Sequence, residues 1–297
     1  MEIVLEGGPR LGFGHAGRCL ALWEELGADA VFRVDDGAVS SFLQDHGAPV
    51  VRAAQAPLVV LDRAVPVASA EVRALAAEGR RAVLIDDLGP ARMHAEMVVD
   101  LPTAARWPAA VGQRLAGFEH VLLRHEVREA MPAHPVREGV LLAMGGSDPA
   151  GLTPGLAREL SAIGMEVRVA LGPGYRGLSP TEGSVLRSPE QFIAELARAE
   201  LLVAGYGHSL LEAAHLGVPA IAVVYKAEHL PHARAFCSHG TAQMFDLTAG
   251  PGERPLAHTA ARLLEDSAAR ADMSACGRQL VDGLGARRVA AAIMGLA

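Results

Sequence analysis

A short stretch near the start of the chain combines glycines with a histidine, Gly12-Phe13-Gly14-His15-Ala16-Gly17-Arg18. It follows the apolar run at 3–5 and precedes an amphipathic segment, so the pattern predicts a strand, a glycine loop and a helix. Unpaired N–H groups at the start of such a helix attract phosphate, and Gly12 and Gly14 would let a ligand approach. His15 could then take a proton from a water or hydroxyl beside the anion. Glycine also serves ordinary turns, and His15 could instead be a surface or capping residue.

The second half contains a comparable loop, Gly145-Gly146-Ser147-Asp148, after the apolar run at 140–144. Its two glycines allow close backbone approach, Ser147 offers a hydroxyl, and the helix start beyond them provides a second anion site. Alternatively, Ser147 or Asp148 could cap that helix, since both residue types are favoured N-caps. The loop therefore predicts either phosphate contact or simple capping.

A third loop, Gly205-Tyr206-Gly207-His208-Ser209-Leu210-Leu211-Glu212, again leads from an apolar run into a helix. Ser209 and Glu212 have the spacing of a capping box, in which each side chain satisfies a backbone N–H of the other residue. The same spacing places a carboxylate one turn inside a phosphate-binding helix, where it could accept both hydroxyls of a ribose. The spacing alone leaves both interpretations open.

The elements that would position these loops alternate between apolar strands and helices along the whole chain. In the first half, strands are predicted at 31–34, 58–61, 82–85, 97–99 and 121–123, with helices near 40–46 and 68–78. A proline-containing linker is predicted at 131–139, and the pattern restarts with a strand at 140–144, a helix at 152–163 and strands at 167–170, 201–204, 220–224 and 242–245. This alternation predicts an α/β fold of two doubly wound domains, whose ligand would bind in a cleft at the carboxyl ends of both sheets.

Composition limits the class of protein. The chain has 297 residues, of which 51% are apolar, enough for two domains with cores of their own. A net charge of −7 without a long basic run argues against a nucleic-acid partner, and no apolar stretch has the length of a transmembrane helix. Because no secretory signal pattern precedes the first strand, a cytoplasmic location is expected.

Two groups of potential metal ligands lack the spacing of a metal site. The three cysteines lie far apart, which indicates inert thiols rather than a disulfide or a ligand set. The histidine group consists of His229, His232 and His239. It matches no zinc pattern, so a solvated helix face is the preferred interpretation and no metal ion is expected.

The motifs occur in an order that resembles one enzyme family. The matching stretches are Leu11-Gly12-Phe13-Gly14-His15 with Arg18-Cys19-Leu20, Ile85-Asp86-Asp87-Leu88, Leu122-Leu123-Arg124, Gly145-Gly146-Ser147-Asp148-Pro149 with Leu152-Thr153, Ser209 to Glu212, Gly217-Val218-Pro219, and Leu280 to Val289. Across nearly its whole length the chain resembles the UDP-sugar hydrolases of pseudaminic acid biosynthesis and their spore-coat polysaccharide relatives. These belong to the GT-B group, which also contains the lipid II N-acetylglucosaminyltransferase.

The resemblance implies a GT-B fold and a nucleotide-sugar substrate. It implies a first Rossmann-like domain at 1–132 that holds the sugar or acceptor, a nucleotide-binding domain at 137–275, and a final helix at 276–297 that returns to the first domain. Water would attack the anomeric carbon with inversion and release the nucleotide diphosphate, without a metal or cofactor.

The implied site residues come from all three loops. His15 would be the general base, and Glu212 would bind the ribose. The residues implied around the pyrophosphate and base are Gly145, Gly146, Ser147, His208 and Ser209, with Gly207 in the same loop. Asp62, just after the predicted strand at 58–61, could orient water, although an aspartate there could equally cap the next helix.

The chain departs from the family pattern where the sugar or acceptor would bind. An Arg-x-Asp pair is replaced near Glu6-Gly7-Gly8-Pro9-Arg10, an Asp-His-Tyr-Gly motif by Asp62-Arg63-Ala64-Val65, and an Asn-Gln pair near Ala227-Glu228-His229-Leu230. A different sugar or activated group is therefore expected. Two alternatives to hydrolysis stay open: a glycosyltransferase that uses the same donor with a sugar or small-molecule acceptor, and a nucleotide-sugar binding protein without turnover.

Three arginines near these loops could contact phosphate or a sugar carboxylate, namely Arg10, Arg18 and Arg124. Arg18 lies three residues after His15 in the predicted helix. For that reason its side chain is expected on the helix surface.

Overall fold

The computed structural model describes residues 1–8, 13–87, 89–100, 112–130, 137–250 and 255–296, with only the backbone at 189 and 190. Gly12, Arg10 and most of the predicted linker at 131–139 lie outside the described residues. The chain divides into two compact units: Met1–Arg124 together with Gly283–Ala297, and His125–Asp282. From the sequence, the domain boundary was expected between 132 and 137, and the final helix was expected at 276–297.

The first unit is built on a parallel sheet of six described strands. Its strands are β1 (Glu2–Leu5), β2 (Val31–Arg33), β3 (Leu58–Asp62), β4 (Arg81–Ile85), β5 (Met97–Asp100) and β6 (Gln113–Ala116), and the helices between them are α1 (Gly14–Leu26), α2 (Gly37–Asp45) and α3 (Ser69–Ala77). The spatial order is β2-β1-β3-β4-β5-β6. The direction of winding therefore reverses between β1 and β3, which is where open α/β sheets bind ligands.

The second unit repeats this architecture within its described residues. Its elements are α4 (His125–Glu129), β7 (Glu138–Ala143), α5 (Thr153–Ala162), β8 (Val167–Ala170), β9 (Ser184–Leu186), α6 (Pro189–Arg198), β10 (Ala199–Gly205), α7 (His208–Leu216), β11 (Ala220–Val224), α8 (Leu230–Ser238), β12 (Ala242–Asp246), α9 (Leu256–Glu265) and α10 (Ser267–Leu280). The strand order is β12-β11-β10-β7-β8-β9, all parallel. This is the order of a dinucleotide-binding Rossmann sheet, and the winding reverses between β7 and β10.

Alternate residues of the first sheet enter different cores, because helices cover both of its faces. In β1, Ile3 and Leu5 join the core that contains Leu22 of α1, whereas Val4 joins the core that contains Val72 of α3. Side chains on successive strand positions point to opposite faces, so a strand buried on both faces is apolar throughout. This explains why the strands were visible as continuous apolar runs.

The last helix, α11 (Gly285–Met294), belongs to the first unit. Ala286, Val289, Ala290 and Ile293 recur at helical spacing and lie in the same core as residues of α1. An added Cβ at Gly285 would lie 2.1 Å from the carbonyl oxygen of Val121, so only glycine fits this close approach.

Three local predictions differ from the structure. Residues 121–123, predicted as a strand, are buried but form no ladder; Leu122 lies in the core that α11 also enters, and the Val121 carbonyl lies against Gly285. The edge strands β6 and β9 were not predicted. Their solvent-exposed positions carry polar residues and mask the apolar signal.

No helix among the described residues is both long enough and apolar enough to span a membrane.

Candidate functional site

His15 and Asp62 meet at the carboxyl-end edge of the first sheet. α1 begins at Gly14, which places His15 in its first turn. Asp62 is the last residue of β3 and lies opposite Leu5 of β1 in the strand register. Nδ1 of His15 is 2.6 Å from Oδ1 of Asp62, and the His15 side chain is 22% exposed. A partly solvent-accessible His–Asp pair therefore lies at the winding reversal between β1 and β3.

Arg18 completes this pair from the next turn of α1. Its Nε donates to Oδ2 of Asp62 at 2.6 Å, and its Nη2 donates to Oδ1 at 2.5 Å. Cys19 adds a bond from its thiol to Oδ2 at 3.2 Å. The expectation that Arg18 lies on the helix surface is wrong, since its side chain is only 5% exposed. Residues three apart share a helix face, and the face that carries His15 is turned towards β3.

Asp62 does not cap the next helix. α3 begins at Ser69 with Ala68 as its N-cap, seven residues beyond the end of β3. Asp62 is completely buried, and its two oxygens accept from His15, Arg18 and Cys19. The capping interpretation is therefore wrong, and the carboxylate orients the His15 ring.

The charges of this group fix its protonation. Burial by itself would raise the pKa of Asp62, but the charge and hydrogen bonds of Arg18, with help from His15, hold that pKa well below its ordinary value of 3.8. Burial likewise opposes the charge of Arg18, yet Asp62 raises the pKa of the guanidinium. An ionised carboxylate only accepts, so Nδ1 of neutral His15 carries the hydrogen and Nε2 keeps its lone pair for a proton.

A fourth group, Asp86, follows the end of β4; from the sequence it was noted only as part of the Ile85-Asp86-Asp87-Leu88 stretch, without a role. Its Oδ2 lies 3.6 Å from Nη1 of Arg18, and its backbone φ is 55°. Burial and the nearby Asp62 raise the pKa of Asp86 to about 6 against the opposing charge of Arg18. We call His15, Arg18, Asp62 and Asp86 the His15 cluster. The available signal was that Asp86 follows a strand adjacent to β3.

Arg124, expected near phosphate or a sugar carboxylate, lies against α1 within the same unit. An added Cβ at Gly17 would come within 2.8 Å of its Cδ. The close approach explains a glycine inside the helix.

Cys19 is buried, and burial raises the pKa of its thiol well above the ordinary value, so the thiol stays protonated.

Glycine shapes the loop after β7, and Asp148 accepts hydrogen bonds from N–H groups at the start of α5. Gly145 has a φ of 85°, which favours glycine. Oδ1 of Asp148 accepts from the backbone N–H of Leu152 at 3.0 Å, and Oδ2 accepts from that of Thr153 at 2.8 Å. Asp148 thus accepts from N–H groups at the start of α5, but the N-cap residue is Leu152 and neither Ser147 nor Asp148. Gly146 and Ser147 lie in the turn before this cap.

The loop after β10 reaches the same edge of the second sheet. Ala204 of β10 pairs with Ala143 of β7, so the carboxyl ends of these strands are neighbours across the winding reversal. α7 begins at His208 with Gly207 as its N-cap, and no side chain of the described residues caps it. Ser209 lies inside the first turn, so the capping-box interpretation is wrong. Glu212 is on α7 and only 3% exposed.

Three of the glycines in these loops border open space. An added Cβ at Gly14, Gly145 or Gly207 would meet no atom of the described residues within 4 Å. Gly14 and Gly207 stand at the N-terminal ends of α1 and α7, where the helix dipole is positive. Each unit therefore offers room for an anionic group at a helix start.

Four aromatic rings gather beside the start of α7. The Tyr206 ring centroid is 5.9 Å from that of His229 and 6.0 Å from that of His232, and Tyr225 is 6.4 Å from His229. Burial lowers the pKa of both histidines, which favours their neutral form. His239 is exposed, whereas His229 and His232 are half-buried, so the solvated-face interpretation holds only for His239. The described residues contain no group of three metal-ligating side chains that could hold a metal ion.

Comparison with known proteins identifies the fold. The sequence matches no protein-family model, and it matches no curated protein. SpnP, a spinosyn forosaminyltransferase, is 15% identical, covers 100% of the chain and 99% of its own, and gives a TM-score of 0.69. HepE of Anabaena, in complex with UDP and glucose, is 15% identical over 100% of both chains with a TM-score of 0.65. MurG of Acinetobacter baumannii is 13% identical over 99% of both chains with a TM-score of 0.65.

These similarities extend over the full chain, and the two parallel six-stranded sheets with flanking helices belong to the GT-B fold. The fold class predicted from the sequence is confirmed. The same fold serves different reactions, so the fold alone does not identify the reaction.

Proposed function

We propose that the chain is a GT-B enzyme that hydrolyses a nucleotide-activated sugar, as in the hydrolase family it resembles. The observation that carries this proposal is the His15–Asp62 pair, held by Arg18 beside the open N-terminus of α1. Two structural relatives support the substrate class, since HepE is in complex with UDP and glucose and SpnP is a forosaminyltransferase. The expected cytoplasmic location stays a prediction.

The second unit would hold the nucleotide. Its strand order places the loops after β7 and β10 at one winding reversal. The positive end of the α7 dipole suits a diphosphate, and Glu212 suits the ribose hydroxyls. The residues assigned to the nucleotide are Gly145, Gly146, Ser147, Gly207, His208, Ser209 and Glu212. In the first unit, Gly14 and Gly12, the latter outside the described residues, would leave space near the reacting group.

The first unit would supply the proton acceptor. Nε2 of His15 takes a proton from water as the water oxygen bonds to the anomeric carbon. The bond between that carbon and the diphosphate oxygen breaks, and its electron pair leaves with the nucleotide diphosphate, inverting the anomeric centre. Asp62 stabilises the resulting imidazolium through Nδ1. Helix N–H groups would stabilise the charge that develops on the leaving diphosphate.

A transferase is the second candidate, because a sugar hydroxyl could replace the attacking water and SpnP transfers a sugar. A binding protein without turnover is the third candidate, and the altered sugar-side motifs favour it.

Incubation with UDP-, GDP- and CMP-activated sugars, with and without acceptors, separates the three candidate functions. Nucleotide release without acceptor supports hydrolysis, release only with acceptor supports transfer, and a thermal shift without release identifies a binder.

Glu212→Gln is expected to weaken UDP binding by about 1 to 3 kcal/mol, because it removes the charged acceptor proposed for the ribose. Isothermal titration calorimetry measures the change. Glu166→Gln, at an exposed acid of the same unit, is the matched control and should leave UDP affinity unchanged. An unchanged affinity in Glu212→Gln, with only a lower melting temperature, would show that Glu212 serves stability.

Gly172→Ala is expected to displace the loop that carries Gly146. An added Cβ at Gly172 would lie 2.4 Å from the Gly146 Cα, and backbone atoms cannot yield as a side chain does. We expect a loss of about 1 to 3 kcal/mol in stability together with weaker UDP binding. Gly155→Ala on α5, where the Cβ meets no described atom within 4 Å, should keep both properties. Unchanged UDP affinity in Gly172→Ala would remove this loop from the nucleotide site.

A further inference from the structure

We propose that Asp86 is a positioning residue for proton transfer: its carboxylate supplies the negative charge that allows His15 to accept a proton beside Arg18. This inference rests on the proposed role of His15 as base. It adds a residue to which the sequence analysis assigned no function.

The backbone turns Asp86 towards the His15 cluster. Its φ of 55° is uncommon for a residue with a side chain, although aspartate tolerates it better than most. The turn is fixed on both sides, since the Asp86 N–H donates to the carbonyl of Val99 at 2.8 Å and the next residue, Asp87, accepts from the N–H groups of Val67 and Gly89. The result is a carboxylate 27% exposed and 3.6 Å from Nη1 of Arg18.

Arg18 creates the need for a second carboxylate. Its charge is matched by Asp62, which accepts two of its hydrogen bonds, so this pair is neutral. Nη2 of Arg18 is also 3.2 Å from Nδ1 of His15, where it repels an imidazolium. With only Arg18 and Asp62 present, protonation of His15 would leave a net positive charge in a largely buried group. Asp86 restores neutrality, because two cations then face two carboxylates.

The groups that face Asp86 are Arg18 and His15 from α1 and Asp62 from β3. Burial, reinforced by Asp62, raises the pKa of Asp86 to about 6, while Arg18 and His15 oppose the rise. Below that pH the Asp86 carboxyl is neutral and the cluster loses its second negative charge. Above it the carboxylate is present. Turnover that depends on proton uptake by His15 should therefore increase as the pH rises through about 6.

Asp86→Asn tests the inference in the full-length protein. In NMR without any ligand, we expect the pH profile of the His15 ring signals to change. We expect kcat/KM at neutral pH to fall about tenfold, and its increase near pH 6 to flatten. Asp45→Asn, at an exposed residue that ends α2, is the matched control and should change neither measurement.

Asp86→Gly provides a second route to the same test. It removes the carboxylate and suits the positive φ better than aspartate does, so folding should be preserved. An unchanged His15 titration in both folded variants would overturn the inference. A shifted titration in a protein that releases no nucleotide from any sugar donor would support the coupling and refute the proposed hydrolase.

Discussion

His15→Ala is expected to reduce turnover of the nucleotide-sugar about 10²- to 10⁴-fold, the usual contribution of a general base. The side chain is held by Asp62 and leaves Nε2 as the proton acceptor, so its removal takes away the group that deprotonates water. Nucleotide affinity should stay nearly constant, because the residues assigned to the nucleotide lie in the second unit. Nucleotide diphosphate release measures turnover, and calorimetry with UDP measures binding.

His94→Ala is the matched control for this experiment. His94 is an exposed histidine of the same unit, and its ring contacts Arg73 at 3.2 Å. Its removal should leave both turnover and affinity unchanged. Full turnover in His15→Ala would rule out His15 as the base, whereas lost UDP binding would assign it to the ligand rather than to proton transfer.

Asp62→Asn is expected to lower both stability and turnover. The completely buried carboxylate is the counterion of Arg18, and removal of one partner of a buried ion pair costs about 3 to 5 kcal/mol in free energy of unfolding. An asparagine amide can donate to Nδ1 of His15, which favours the tautomer that carries its hydrogen on Nε2. That tautomer cannot accept a proton there, so turnover should fall about 10²- to 10⁴-fold.

A second buried ion pair in the same sheet provides the control. Arg92 donates from Nη1 and Nη2 to the two oxygens of Asp100 at 2.5 and 2.9 Å, and both side chains are buried. Asp100→Asn should reduce stability by a comparable amount and leave the kcat of the folded protein unchanged. Chemical denaturation at neutral pH gives the stability of each variant. Equal loss of kcat in both variants would show that Asp62 acts only through stability.

The pH dependence of this stabilisation has a definite sign. Because the pKa of Asp62 is lowered in the folded protein, its contribution is complete above the ordinary pKa of 3.8 and is lost as the pH falls below that value. The difference in stability between the parent chain and Asp62→Asn should therefore be constant near neutral pH and shrink in acid. A constant difference down to pH 3 would show that the Asp62 charge does not stabilise the fold.

The fold was predictable because each half repeats one pattern, an apolar run followed by a glycine loop and a helix. Both winding reversals place such loops at sheet edges, so the positions of His15 and Ser209 at the starts of helices were predictable from local sequence. The edge strands β6 and β9 were missed because a strand with a solvent-exposed face lacks the apolar run of a buried one. Residues 121–123 gave the opposite error, since burial beneath a helix produces the same composition as a strand.

The partners in the site were harder to predict than the loops. Strands β1, β3 and β4 are neighbours in space. This arrangement brings Asp62 to Arg18 and places Asp86 beside the same arginine. Strand order arises from packing of the whole sheet, and residues 18 and 62 carry no local sign of it. The capping box failed for a different reason: spacing alone does not determine where a helix begins, and α7 starts two residues too early for Ser209 to be its N-cap.

The position of α11 has a consequence for synthesis of the chain. Ile293 fills the core that also holds α1, whereas the second unit is a single uninterrupted segment from His125 to Asp282. A ribosome therefore releases every residue of the second unit before the residue that closes the hydrophobic interior beneath His15. A premature stop after residue 282 would leave the second unit complete in sequence and deprive the unit that carries the proposed base of its last core helix.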